Sequence, residues 1–106
     1  MSSIPVLMTE QIVIDRIKQT KHKLDEGLIN DLVKVIASVG IIYPPILWRP
    51  GTALGINLVI GADVIEACRR LKMKAITARV VTGDTPDIRD WCDRVRGAQS
   101  VWEAAA

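Results

Sequence analysis

A chain of 106 residues, 49% hydrophobic and 25% charged, is one domain's worth of sequence with apolar content for a modest core. For this stretch, that excludes a multidomain enzyme and a disordered chain. Fourteen Lys+Arg against twelve Asp+Glu leave a formal net charge of +2, which permits nucleic acid as a partner without demanding it.

Two cysteines, Cys68 and Cys92, form no Cys-x-x-Cys pair, and His22 is the single histidine. A zinc site or a disulfide framework is not expected from that inventory, and a reduced, cytoplasmic protein is the default. No apolar run approaches the roughly 18 residues of a membrane span, and Met1–Val6 does not read as a signal peptide.

The first element is a short strand over Gln11–Asp15, where Ile12 and Ile14 alternate with polar neighbours. A basic connector with Lys18, Lys21, His22 and Lys23 follows. Leu28, Leu32, Val35, Ile36 and Val39 then recur at helical spacing, so a helix is predicted over 25–39, with acid at its start and Gly40 past its end. Pro44 and Pro45 force extended or turning backbone before a strand over Ile46–Arg49. Asn57–Ile60 is a second strand, joined to the first by a loose hairpin. Gly61 ends it, and a helix is predicted over 63–72 with Asp63 as cap or first-turn acid and Val64, Ile65, Cys68 and Leu71 facing inward. Ala75–Val81 reads as a strand. Thr85-Pro86-Asp87 is a helix start, with a hydroxyl cap, proline at the first position and acid in the first turn, for a helix over 85–102. The expected fold is a single α/β (α+β) domain over 1–106 with a small mixed sheet of about four strands and three helices.

Lys23-Leu24-Asp25-Glu26, then Leu32, Ile36, Ser38, Gly40, Pro44-Pro45-Ile46 and Trp48-Arg49, resembles the N-terminal domain of ParB partition proteins. Asn57–Gly61 with Glu66–Leu71, and the closing Ala75–Val80, are similar to that family's strand, glycine, helix and last strand. The resemblance covers about 12–81 and extends to the wider ParB/sulfiredoxin-like superfamily. It implies a DNA-associated protein of plasmid or phage maintenance, a nucleotide or DNA phosphate at the turn after Gly61, and CTP or ATP with Mg²⁺ as the nucleotide, if one binds. Ala62-Asp63-Val64 departs from the pattern, because the family places arginines, a His-Arg pair or a cysteine in that turn. The reading is therefore a non-catalytic DNA-associated or regulatory protein. A nucleotide-dependent nuclease or phosphotransferase is the alternative, and a protein-interaction module built on the last helix is the third reading.

Each candidate residue carries two readings. Gly61, Ala62 and Asp63, with Lys21 and Lys23 nearby, form either a phosphate cradle or a plain capped turn beside a solvated basic loop. Arg69, Arg70, Lys72 and Lys74 are either a DNA-phosphate patch or cations complementing a helix C-terminus. Cys68 reads as a small core hydrophobe. No catalytic residue and no metal ligand set is assigned, although Asp15, Asp25, Glu26, Asp63 and Glu66 include carboxylates that Mg²⁺ could use. Trp91, Val95 and Trp102 share a helical stripe, which either packs inside or makes a homodimer. Two predicted helices already cover the sheet, so self-association is the expectation.

Overall fold

The computed structural model describes residues 6–18, 24–51 and 55–105, the last seven of these for their backbone alone, with no side chains described beyond residue 98. In chain order the elements are β1 (Leu7–Val13), a 3-10 turn (Ile14–Arg16), β2 (Ile17–Lys18), α1 (Glu26–Val39), β3 (Ile46–Arg49), β4 (Ile56–Ile60), α2 (Ala62–Arg70), β5 (Ala75–Thr82) and α3 (Pro86–Ala105). One mixed sheet runs β1-β5-β3-β4-β2. β1 is antiparallel to β5, β3 is parallel to β5 and antiparallel to β4, and β2 is parallel to β4.

The sheet thus has five strands where about four were expected. The predicted strand at 11–15 is the tail of a longer one. β1 begins at Leu7, and Asp15 sits in the 3-10 turn before the short β2. Met8 and Thr9 are exposed, so the strand's first half carries no clean apolar alternation to announce it.

Strand alternation divides the interior into two cores. Ile12, Leu47, Leu58, Ile76, Ala78 and Val80 face the larger one, which α1 and α2 close with Ile29, Ile36, Ile65 and Cys68. Ile29, Leu47 and Ile65 are fully buried, each worth roughly 1.5–3 kcal/mol relative to exposure. The adjacent residues Val59 and Val81 point the other way, where α3 covers them with Cys92, Ile88, Trp91 and Val95. The third helix therefore covers the sheet face that the first two leave open. Trp91 and Val95, expected to favour self-association, are partly buried against this second core. The side chain of Trp102 lies outside the described residues.

α1 corrects a second expectation. Its buried residues are Ile29 and Ile36, whereas Leu28, Val35 and Val39 are 45%, 39% and 69% exposed. Apolar residues cover so wide an arc of this helix that periodicity marks it as helical without fixing which flank turns inward. Its ends are as expected: the Asp25 carboxylate accepts from the Leu28 N–H at 3.1 Å, and Gly40 closes the helix at φ 84°. At α3, the Thr85 hydroxyl accepts from the Ile88 N–H at 3.3 Å, as the Thr-Pro-Asp signal implies.

Candidate functional site

β4 passes into α2 through Gly61, the helix N-cap, at φ 108° and ψ 26°. A Cβ there would lie 2.6 Å from the Pro45 Cβ and 2.9 Å from its Cα. Glycine is thus required twice, by conformation and by contact. Gly61 is the cap residue, with no side-chain capping bond, so Asp63 lies in the first turn and does not serve as the cap. The Ile65 N–H makes the first helical bond, to the Gly61 carbonyl at 3.1 Å. The N–H groups of Ala62, Asp63 and Val64 precede it and form the positive end of the helix dipole.

Those N–H groups alone could meet one anion. A triphosphate with Mg²⁺ fits poorly. Ala62 and Val64 bring no charge, no cationic side chain stands at residues 61–64, and Pro45 fills the space behind the glycine. Lys21, His22 and Lys23, the cations expected near this turn, lie outside the described residues.

The other end of α2 is built differently. The Lys72 N–H donates to the Arg69 carbonyl at 2.9 Å, and the Met73 N–H to the Cys68 carbonyl at 3.1 Å. This is a Schellman closure with Lys72 in the left-handed position at φ 60°, where glycine is usual. Arg69, Lys72 and Lys74 are exposed, and none forms an ion pair among the described residues. The Ile14 N–H donates to the Lys74 carbonyl at 2.9 Å, which ties the start of the 3-10 turn, whose last residue is the exposed Arg16, to the same end.

Arg70 does not join that group. It bonds Glu26 of α1 at 2.8 Å, reaches Glu66 at 3.7 Å, and donates to the Asn30 side-chain oxygen at 3.5 Å. The Arg70 hydrogen bond holds the Glu26 carboxyl below its ordinary value. Of the adjacent arginine pair, one fastens α1 to α2 and the other faces solvent.

Cys68 and Cys92 are buried free thiols, and burial is the first cause raising both above the usual thiol range. Neither stands in the Gly61 turn. Asp25 caps α1, and Glu26 and Glu66 share Arg70. Among the described residues, no three His, Cys, Asp or Glu side chains gather to hold a metal ion. Sequence reasoning missed one feature: an open apolar groove of about 530 Å³ lined by Ile36, Gly40, Ile41, Pro44, Leu71 and Met73, among others. Its only signal was apolar residues continuing past the ends of both helices.

No family model and no curated protein sequence matches the chain. Solved structures do. Sulfiredoxin from Arabidopsis thaliana superposes at a TM-score of 0.65 and 16% identity, over 72% of this chain and 86% of its own. A Pnob8-like ParB-N domain gives 0.65 and 17%, over 89% of this chain and 37% of its own. ParB from Caulobacter crescentus gives 0.58 in two C-terminally truncated forms. One, with CTP-γ-S, is 20% identical over 76% of this chain and 47% of its own. The other, with the centromeric parS site, is 22% identical over 69% and 40%. The chain therefore has the ParB/sulfiredoxin-like fold, and it spans less than half of each ParB chain.

Proposed function

We propose that this domain is a non-catalytic, DNA-associated protein that contacts phosphates through the C-terminal end of α2. The observation that carries the reading is the exposed set Arg69, Lys72 and Lys74, which has no acidic partner among the described residues while neighbouring Arg70 is held by Glu26. Two chemistries occur in the structural neighbours, a cytidine nucleotide and a DNA site. The free cations favour DNA, and the turn Gly61–Val64 offers no cationic side chain to a nucleotide.

Such contacts read the backbone and carry no base sequence. Binding is therefore weak and sequence-tolerant, and three neutralised phosphates give a log–log salt slope of about −2.7. The thiol chemistry of a sulfiredoxin-type turn has no counterpart here, since Cys68 is buried within α2. Fluorescence anisotropy with a labelled duplex tests the reading. The combined variant Arg69→Glu, Lys72→Glu, Lys74→Glu should lose at least about tenfold in affinity and most of the salt dependence. An unchanged affinity in the folded variant would overturn it.

A further inference from the structure

The sheet has two edges, and they are finished differently. The β2 edge has two residues, Ile17 and Lys18, and follows directly from the 3-10 turn. A short edge bearing a lysine is blunted against pairing. The β1 edge, Leu7–Val13, runs seven residues without proline. Among the described residues it pairs with β5 on one side only, and its register with β5 is continuous from Leu7↔Val81 to Val13↔Ala75. Met8 and Val13 are 59% and 44% exposed.

The strand's single charge does not guard this edge. Glu10 accepts two hydrogen bonds from the Arg49 guanidinium, at 3.0 and 3.1 Å, so its charge is neutralised within the molecule. That leaves alternate N–H and C=O groups along β1 facing outward, and the charge nearest them is Arg79 of β5, the exposed cross-strand neighbour of Thr9.

The order of side-chain types then selects the occupant. Leu-Met-Thr-Glu-Gln-Ile-Val is a palindrome of chemical class centred on Glu10. We infer that β1 pairs antiparallel with β1 of a second copy of this chain, about a two-fold axis at Glu10, to make one continuous sheet. In that register Leu7 meets the partner's Val13, Met8 the partner's Ile12, and Thr9 the partner's Gln11. Apolar side chains meet apolar and polar meet polar, as a two-fold interface requires of a single strand. The two Glu10 carboxylates approach each other with Arg49 behind each. The Val13 end of this interface adjoins the Lys74 carbonyl that the Ile14 N–H bonds, and the strand pairing itself needs no DNA.

The test is sedimentation of the full chain over a concentration series. Thr9 and Gln11 are both exposed and outside the cores. Two double variants that share a lysine at position 9 both place it opposite Arg79 and both lose the Gln11 hydrogen bond to the Thr77 hydroxyl, so they differ from each other only at residue 11. The wild type should show a reversible monomer–dimer equilibrium. Thr9→Lys with Gln11→Lys sets like charges opposite each other twice and should weaken the dimer about tenfold. Thr9→Lys with Gln11→Glu sets opposite charges across the same register and should restore it. Far-UV circular dichroism checks that both variants are folded. A wild type that stays monomeric at millimolar concentration overturns the proposal. So does a dimer indifferent to both variants, which would place association on another face.

Discussion

The two ends of α2 make the same backbone excursion for opposite reasons. Gly61 enters the helix at φ 108° and Lys72 leaves it at φ 60°, both in the left-handed region. At the entrance a side chain would strike Pro45 at 2.6 Å, so only glycine fits. At the exit Lys72 is exposed, and the chain accepts about 1–2 kcal/mol of conformational cost to carry a cation there. The difference teaches where packing leaves chemistry free to vary. The entrance is fixed by its neighbour and capped by nothing but backbone. The exit is fixed only by its own hydrogen bonds and is available for charge.

Exchanging the two solutions breaks the comparison most sharply. Gly61→Ala forces a Cβ into Pro45 and a non-glycine residue into a strained conformation, and is expected to destabilise by about 3 kcal/mol. Urea denaturation reads this directly, and a loss below about 1 kcal/mol would mean that Pro45 moves aside. Lys72→Gly should act in the opposite direction, stabilising by about 0.5–1 kcal/mol as the left-handed strain is relieved. The same variant should weaken DNA binding. Stability and binding thus part at one end of the helix and not at the other.

The smallest expected effect lies between the ends, at the Arg70 fastening of α2 to α1. The Glu26 carboxyl is held below its ordinary 4.5 by its hydrogen bond with Arg70. Its stabilising contribution is therefore present above pH 4.5 and lost as pH falls through the lower folded-state value. Glu26 is exposed, so the effect is small. Denaturant midpoints of wild type and Arg70→Gln should differ slightly at pH 7 and converge towards pH 3. A difference that persists at pH 3 would assign the role of Arg70 to packing of its stem.

Much of this was legible in the residues. Asp25 and Gly40 bracketed α1, Thr85-Pro86-Asp87 opened α3, and the placing of Cys68 in the core followed from helical spacing. What was not legible depended on partners distant in sequence. The first half of β1 gains its structure from β5, about seventy residues on, and not from its own alternation. The inward flank of α1 is chosen by α2 and the sheet, because the apolar arc of that helix is too wide to choose for itself. The apolar stripe of α3 could not be told from an interface without knowing that Val59 and Val81 face away from α1 and α2. At the candidate site, Arg69 and Arg70 are adjacent in sequence, and only the position of Glu26 separates a fastened arginine from a free one.

Backbone amide shifts followed by NMR during titration with a short DNA duplex observe both ends of α2 at once. The expected result is a set of shifts concentrated at Arg69–Lys74, with Arg16 among them, that recedes as salt is raised while Ala62–Val64 stay still. Shifts that begin at Ala62–Val64, or that leave Arg69–Lys74 unmoved, would contradict the assignment of phosphate contact to the C-terminal end of the helix.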